Sequence, residues 1–73
     1  MYFILEQYIF PNWVSTGIIL EGDYHKHLVV LETMRKKFAP TDFRAKRISG
    51  KAAFVFAARG VRILTAPEAL KGV

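Results

Sequence analysis

Along residues 2–10, apolar side chains fall on both sides of an extended chain. Tyr2, Ile4, Tyr8 and Phe10 share one side, and Phe3, Leu5 and Ile9 the other. A strand with one wet face alternates apolar with polar residues, so this pattern predicts a strand with something to bury on each side. Pro11-Asn12 supplies turn chemistry, and residues 13–20, "WVSTGIIL", resume β-type composition. Two short adjacent strands are joined most simply as an antiparallel hairpin. Gly17 inside the second strand predicts a bulge or a close backbone approach.

The period changes after Gly22. Asp23 is a suitable N-cap, and Tyr24, His27, Leu28, Leu31, Met34 and Phe38 then recur on one helical stripe. Lys26, Thr33, Lys36 and Lys37 lie opposite, and Arg35-Lys36-Lys37 suits the negative end of the helix dipole. Pro40 predicts that the helix stops at residue 38 or 39.

Residues 42–48, "DFRAKRI", read as a third strand, with Ser49-Gly50 as a turn. The stretch that follows supports two readings. Ser49 could cap an alanine-rich helix ending before Gly60, or residues 52–57 could be a strand. The succession Phe54-Val55-Phe56 favours a strand buried on both faces. Residues 61–65 form a last strand, and Thr65-Ala66-Pro67-Glu68 can start a terminal helical turn. The expected fold is α+β in a single domain, residues 1–73. It is a two-layer antiparallel sheet of ββαββ order, with room for a fifth strand, and one amphipathic helix on one face. The other face is then left aromatic and basic: Arg44 and Lys46 share one side of their strand, and Arg62 is expected to join them.

Size sharpens this picture. A domain of 73 residues buries only about 60% of the surface its unfolded chain exposes. With no cysteine it has neither disulfide nor thiolate metal site as a staple, yet its apolar share is 52%. Efficient burial, or burial against another chain, follows. The opening apolar run has no basic leader and contains Glu6 and Gln7, so no export signal is read. A spanning helix needs about 20 mostly apolar residues, and no stretch supplies them. A cytoplasmic protein without membrane contact is expected. Charge is asymmetric: residues 1–34 carry a net −3 and residues 35–73 a net +8.

Candidate chemistry is sparse. In "DYHKH" (residues 23–27), His25 and His27 are two apart and diverge on a helix, so no metal is expected; His27 instead joins the core stripe and pairs with Asp23. Residues 45–52, "AKRISGKA", have the glycine-lysine of a phosphate-binding loop, but Ala52 stands where a hydroxyl should hold magnesium. Residues 50–57, "GKAAFVFA", faintly resemble the RNA-recognition signature, but Ala52 and Ala57 replace the aromatic rings that would stack on bases. No cysteine nucleophile or paired carboxylates exist, and so small a domain has little room for a reaction pocket. Neither an enzyme, a cofactor nor a small-molecule substrate is expected.

The order hairpin, amphipathic helix, then strands ending in "RILTAPEAL" (residues 62–70) resembles small phage- or mobile-element-encoded proteins, including some anti-CRISPR inhibitors. The likeness lies in the strand–helix rhythm and in the last strand running into Pro67, Glu68, Ala69 and Leu70. It implies a small non-enzymatic inhibitor or adaptor that occupies a surface of a larger host protein or ribonucleoprotein complex. Many such inhibitors are acidic mimics of DNA, whereas this chain is basic, which puts mimicry in doubt. Tyr, Trp and Arg anchor interfaces, so the expected partner-binding residues are Tyr2, Tyr8, Phe10, Trp13, Arg44, Lys46 and Arg62. A homodimer through the same face is the simplest variant. The alternative is nucleic-acid binding by Arg44, Lys46, Arg47, Lys51, Arg59 and Arg62, with cations on phosphates beside exposed rings.

Overall fold

The computed structural model describes residues 1–72. In chain order these form β1 (Tyr2–Ile9), β2 (Asn12–Glu21), α1 (Tyr24–Lys37), β3 (Phe43–Ile48), α2 (Gly50–Ala58), β4 (Arg62–Thr65) and α3 (Ala66–Lys71). One sheet of order β3-β1-β2-β4 holds all four strands. The α+β class holds, but two parts of the expected layout are corrected. The sheet is mixed, because β4 runs parallel to β2, and residues 50–58 are helix where a strand was favoured.

Connectivity links the two corrections. Since β1 is antiparallel to β2 and to β3, strands β2, β3 and β4 all point the same way. The segment from β2 to β3 therefore crosses the sheet in one direction, and the segment from β3 to β4 crosses back. Crossovers between like-directed strands are right-handed in about 98% of cases. Two right-handed crossovers travelling in opposite senses must use opposite faces. Accordingly α1 lies on one face and α2 on the other, and the sheet is covered from both sides.

The alternation of β1 feeds both layers. Leu5 points to a cluster with Leu20, Val30, Leu31, Met34, Phe43, Ala66 and Ala69 beneath α1 and α3. Ile4 points the other way, to Ile19 and Ala53 beneath α2, flanked by Tyr2, Ile48, Phe56, Val61 and Ile63. Phe3 sits under the start of α1, its ring centroid 5.4 Å from Tyr24 and 5.3 Å from His27. This half of the strand is apolar on both sides because both sides are inside.

The helices are set by local chemistry. Asp23 occupies the N-cap of α1, although its side chain makes no capping bond. The buried stripe is His27, Val30, Leu31 and Met34, while Tyr24, Leu28 and Phe38, expected on it, are exposed. His27 is fully buried; its Nε2 lies 3.2 Å from the Gly22 carbonyl, which replaces the expected Asp23 partner, and its Nδ1 has no partner among the described residues. Burial drives its pKa down, the Met1 amino group adds to that, and the Gly22 bond and Asp23 oppose it. Ser49 caps α2 by accepting from the Ala52 amide at 3.1 Å. Thr65 and Glu68 form a reciprocal capping box at α3.

Candidate partner-binding hairpin tip

The hairpin is longer than anything that covers it. At about 3.3 Å per residue in a strand and 1.5 Å in a helix, β2 spans about 33 Å, against about 21 Å for α1 and 14 Å for α2. The neighbouring strands are also short of its end. On β1, pairing with β3 finishes at Gln7–Phe43, followed by the Tyr8 amide on the Asp42 carbonyl at 2.9 Å. On β2, pairing with β4 begins only at Ile18–Arg62. Residues 8–13 therefore project past both flanking strands as a two-stranded ribbon.

A register shift marks the base of this ribbon. Pairing passes from Leu5–Ile18 to Glu6–Ser15, leaving Thr16 and Gly17 extra on β2. Gly17 has φ +83°, a conformation that costs glycine little and other residues much. Thr16 Oγ1 donates to the Leu5 carbonyl at 2.8 Å, and the Gly17 amide donates to Ser15 Oγ at 3.1 Å. Because two residues are inserted, the alternation of faces stays in phase.

On the α2 side, the ribbon carries a stacked row. Tyr8 and Trp13 are cross-strand partners in edge-to-face contact, with centroids 5.3 Å apart. The Arg44 guanidinium lies 4.4 Å from the centre of the Trp13 ring, and its Nε donates to Glu6 Oε1 at 2.8 Å. Arg44 is thus held between a π face and a carboxylate, fixing the Trp13 ring at low entropic cost. On the opposite side Ile9 and Val14 are exposed, and Phe10 at the apex is 84% exposed. No charged residue lies between positions 7 and 20.

Of the residues expected to bind a partner, Tyr8, Phe10, Trp13 and Arg44 come together here. Lys46 is exposed on the same sheet face, opposite Ile4. Tyr2 does not join them: it lies half-buried under α2, where a Cβ at Gly50 would meet its ring at 3.6 Å. Arg62 is on the other face, in register with Ile18, and lines a groove of about 350 Å³ with Met34, Phe38, Phe43 and Glu68. Its expected partnership with Arg44 and Lys46 is corrected by the β2–β4 register. The nucleic-acid set is likewise divided. Arg44 and Lys46 share one face, Arg47 and Arg62 the other, and Lys51 and Arg59 mark the two ends of α2.

Ile9 and Val14 were not among the expected contacts, because their side of the strand was assigned to the helix. The signal for them was length: a turn at Pro11 lies too far along the strand for a 14-residue helix to reach. No family model matches the chain, and neither curated proteins nor solved structures give a match.

Proposed function

We propose that the protein is a small non-enzymatic binding module that inserts its hairpin tip into an apolar cleft on a larger host protein or complex. In this reading it acts as an inhibitor or adaptor, the mode implied by its resemblance to small phage-encoded inhibitors. One observation carries the reading. The hairpin tip, residues 8–14, carries no charge of its own and leaves Tyr8, Ile9, Phe10 and Val14 exposed with Trp13 half-buried against Arg44, while the same hairpin is buried on both faces a few residues back. A contiguous exposed apolar surface on so small a chain marks an interaction site. Tyr8, Trp13 and Phe10 are the anchors, and Arg44 acts mainly by orienting Trp13.

Nucleic-acid binding is the weaker alternative. Its six cations lie on separate surfaces, and Arg44 is already bonded to Glu6. Affinity capture from the native host, comparing the wild type with Phe10→Asp and with Lys36→Glu, tests the main reading. A protein retained by wild type and Lys36→Glu but lost with Phe10→Asp is expected. Equal capture by all three would overturn it. Fluorescence anisotropy with single- and double-stranded oligonucleotides at low salt separates the alternative, whose affinity must fall steeply as salt rises.

A further inference from the structure

Strand β3 lies at the edge of the sheet, and its backbone is capped at one end only. Antiparallel residues alternate between bonding to the partner strand and pointing away from it. The Tyr8 amide on the Asp42 carbonyl sets the phase, so Arg44, Lys46 and Ile48 bond inward to β1. Phe43, Ala45 and Arg47 then direct their N–H and C=O groups outward. At Phe43 both are satisfied: its amide donates to Asp42 Oδ1 at 2.8 Å, and its carbonyl accepts from Arg35 Nη2 at 2.6 Å. At Ala45 and Arg47 no group among the described residues takes them up.

We propose that this open edge receives an extended acidic segment of another protein as a fifth strand. Added strands gain affinity from main-chain bonds and specificity from alternate side chains. Here the side chains are decisive. Lys46 and Arg47 are both exposed, one on each face of the edge, so a cross-strand neighbour on either face meets a cation. A second copy of the chain would set β3 against β3 and bring these cations together, the arrangement that sheet edges use to prevent self-pairing. The same charges favour an acidic segment. An open hollow of about 550 Å³ beside the end of β3, lined by Met1, Tyr2, Arg47, Ile48, Ser49 and Gly50, can seat one large side chain of that segment. The edge is separate from the hairpin tip, so this inference stands or falls independently of the proposed function.

Amide hydrogen exchange followed by NMR tests it, using a synthetic peptide of alternating glutamate and valine and a lysine-for-glutamate counterpart as probes. The acidic peptide should slow exchange at Ala45 and Arg47 by about tenfold or more, leaving the already bonded Arg44 and Lys46 amides unchanged. Binding should weaken as salt rises, and the lysine peptide should not bind. Arg47→Pro removes one outward donor without touching the β1 ladder, and proline is tolerated on edges, so protection should be lost while the fold is kept. Should that variant fail to fold, Lys46→Glu combined with Arg47→Glu decides, and it should prefer the lysine peptide. Protection at the hairpin tip, or none, would overturn the proposal. So would equal binding of both peptides, or protection of Ala45 and Arg47 that grows with protein concentration alone.

Discussion

At the body of the β1–β2 hairpin, Phe3 and Leu5 lie beneath α1 while Tyr2 and Ile4 lie beneath α2. At its tip, Ile9 and Val14 on one face and Tyr8 and Trp13 on the other have no helix above them. Both ends are apolar on both sides, and the residue types barely differ. Their environments differ because the two crossover helices and the flanking strands all stop short of the turn. Apolar surface in the body therefore serves stability, and the same kind of surface at the tip stays uncovered within the chain.

The largest expected effect tests the body. Leu5 is fully buried in the sheet centre, and Leu5→Ala should lower the unfolding free energy in denaturant by about 2–5 kcal/mol. A loss near zero would mean that the body is no core. A second effect is confined to acid. His27 has a pKa below its ordinary 6.5 in the folded chain, so between the two values the unfolded chain binds the extra proton. Stability should thus decline as pH falls below about 6.5 and level off below the folded pKa. The melting temperature followed from pH 7 downward checks this, and His27→Leu should flatten that part of the curve.

Loosening one cover should cost less. Thr65→Ala removes the capping box of α3, which packs Ala66 and Ala69 beneath α1, and should destabilise by about 1 kcal/mol in thermal or chemical melts. At the ribbon, a double-mutant cycle between Trp13→Ala and Arg44→Ala should report a coupling of about 0.5–1 kcal/mol, since the pair remains partly in water. Smallest of all, Phe10→Ser should change stability by no more than about 0.5 kcal/mol. Its consequence belongs to partner capture. If Phe10→Ser unfolded the protein instead, the contrast between body and tip would collapse.

Much of this layout was legible in the chain. The hairpin, its Pro11-Asn12 turn, the irregularity at Gly17, the end of α1 before Pro40 and the start of α3 at Thr65 all follow from local chemistry. Residues 50–58 were not, because Phe54-Val55-Phe56 fits a doubly buried strand as well as a helix. In the structure only Ala53 of that helix is buried and Phe56 is half-buried, while Phe54 and Val55 face outward at 68% and 49% exposure. Ser49 as N-cap was the better guide. Of the candidate contact residues, Tyr8, Trp13 and Arg44 lie together on the face the alternation suggests and Phe10 sits at the turn, whereas Tyr2 and Arg62 lie elsewhere.

The sequence by itself determined where elements begin and end, since caps, turns and side-chain period act over a few residues. It also determined that the first strand has two apolar faces. Tertiary structure decided what each face meets. Whether β4 joins the β2 edge in register with Ile18, and which face each crossover helix takes, depends on contacts between residues far apart in the chain and on the handedness of crossovers. Those choices half-buried Tyr2 under α2, turned Arg62 away from Arg44, and left the hairpin tip beyond both helices.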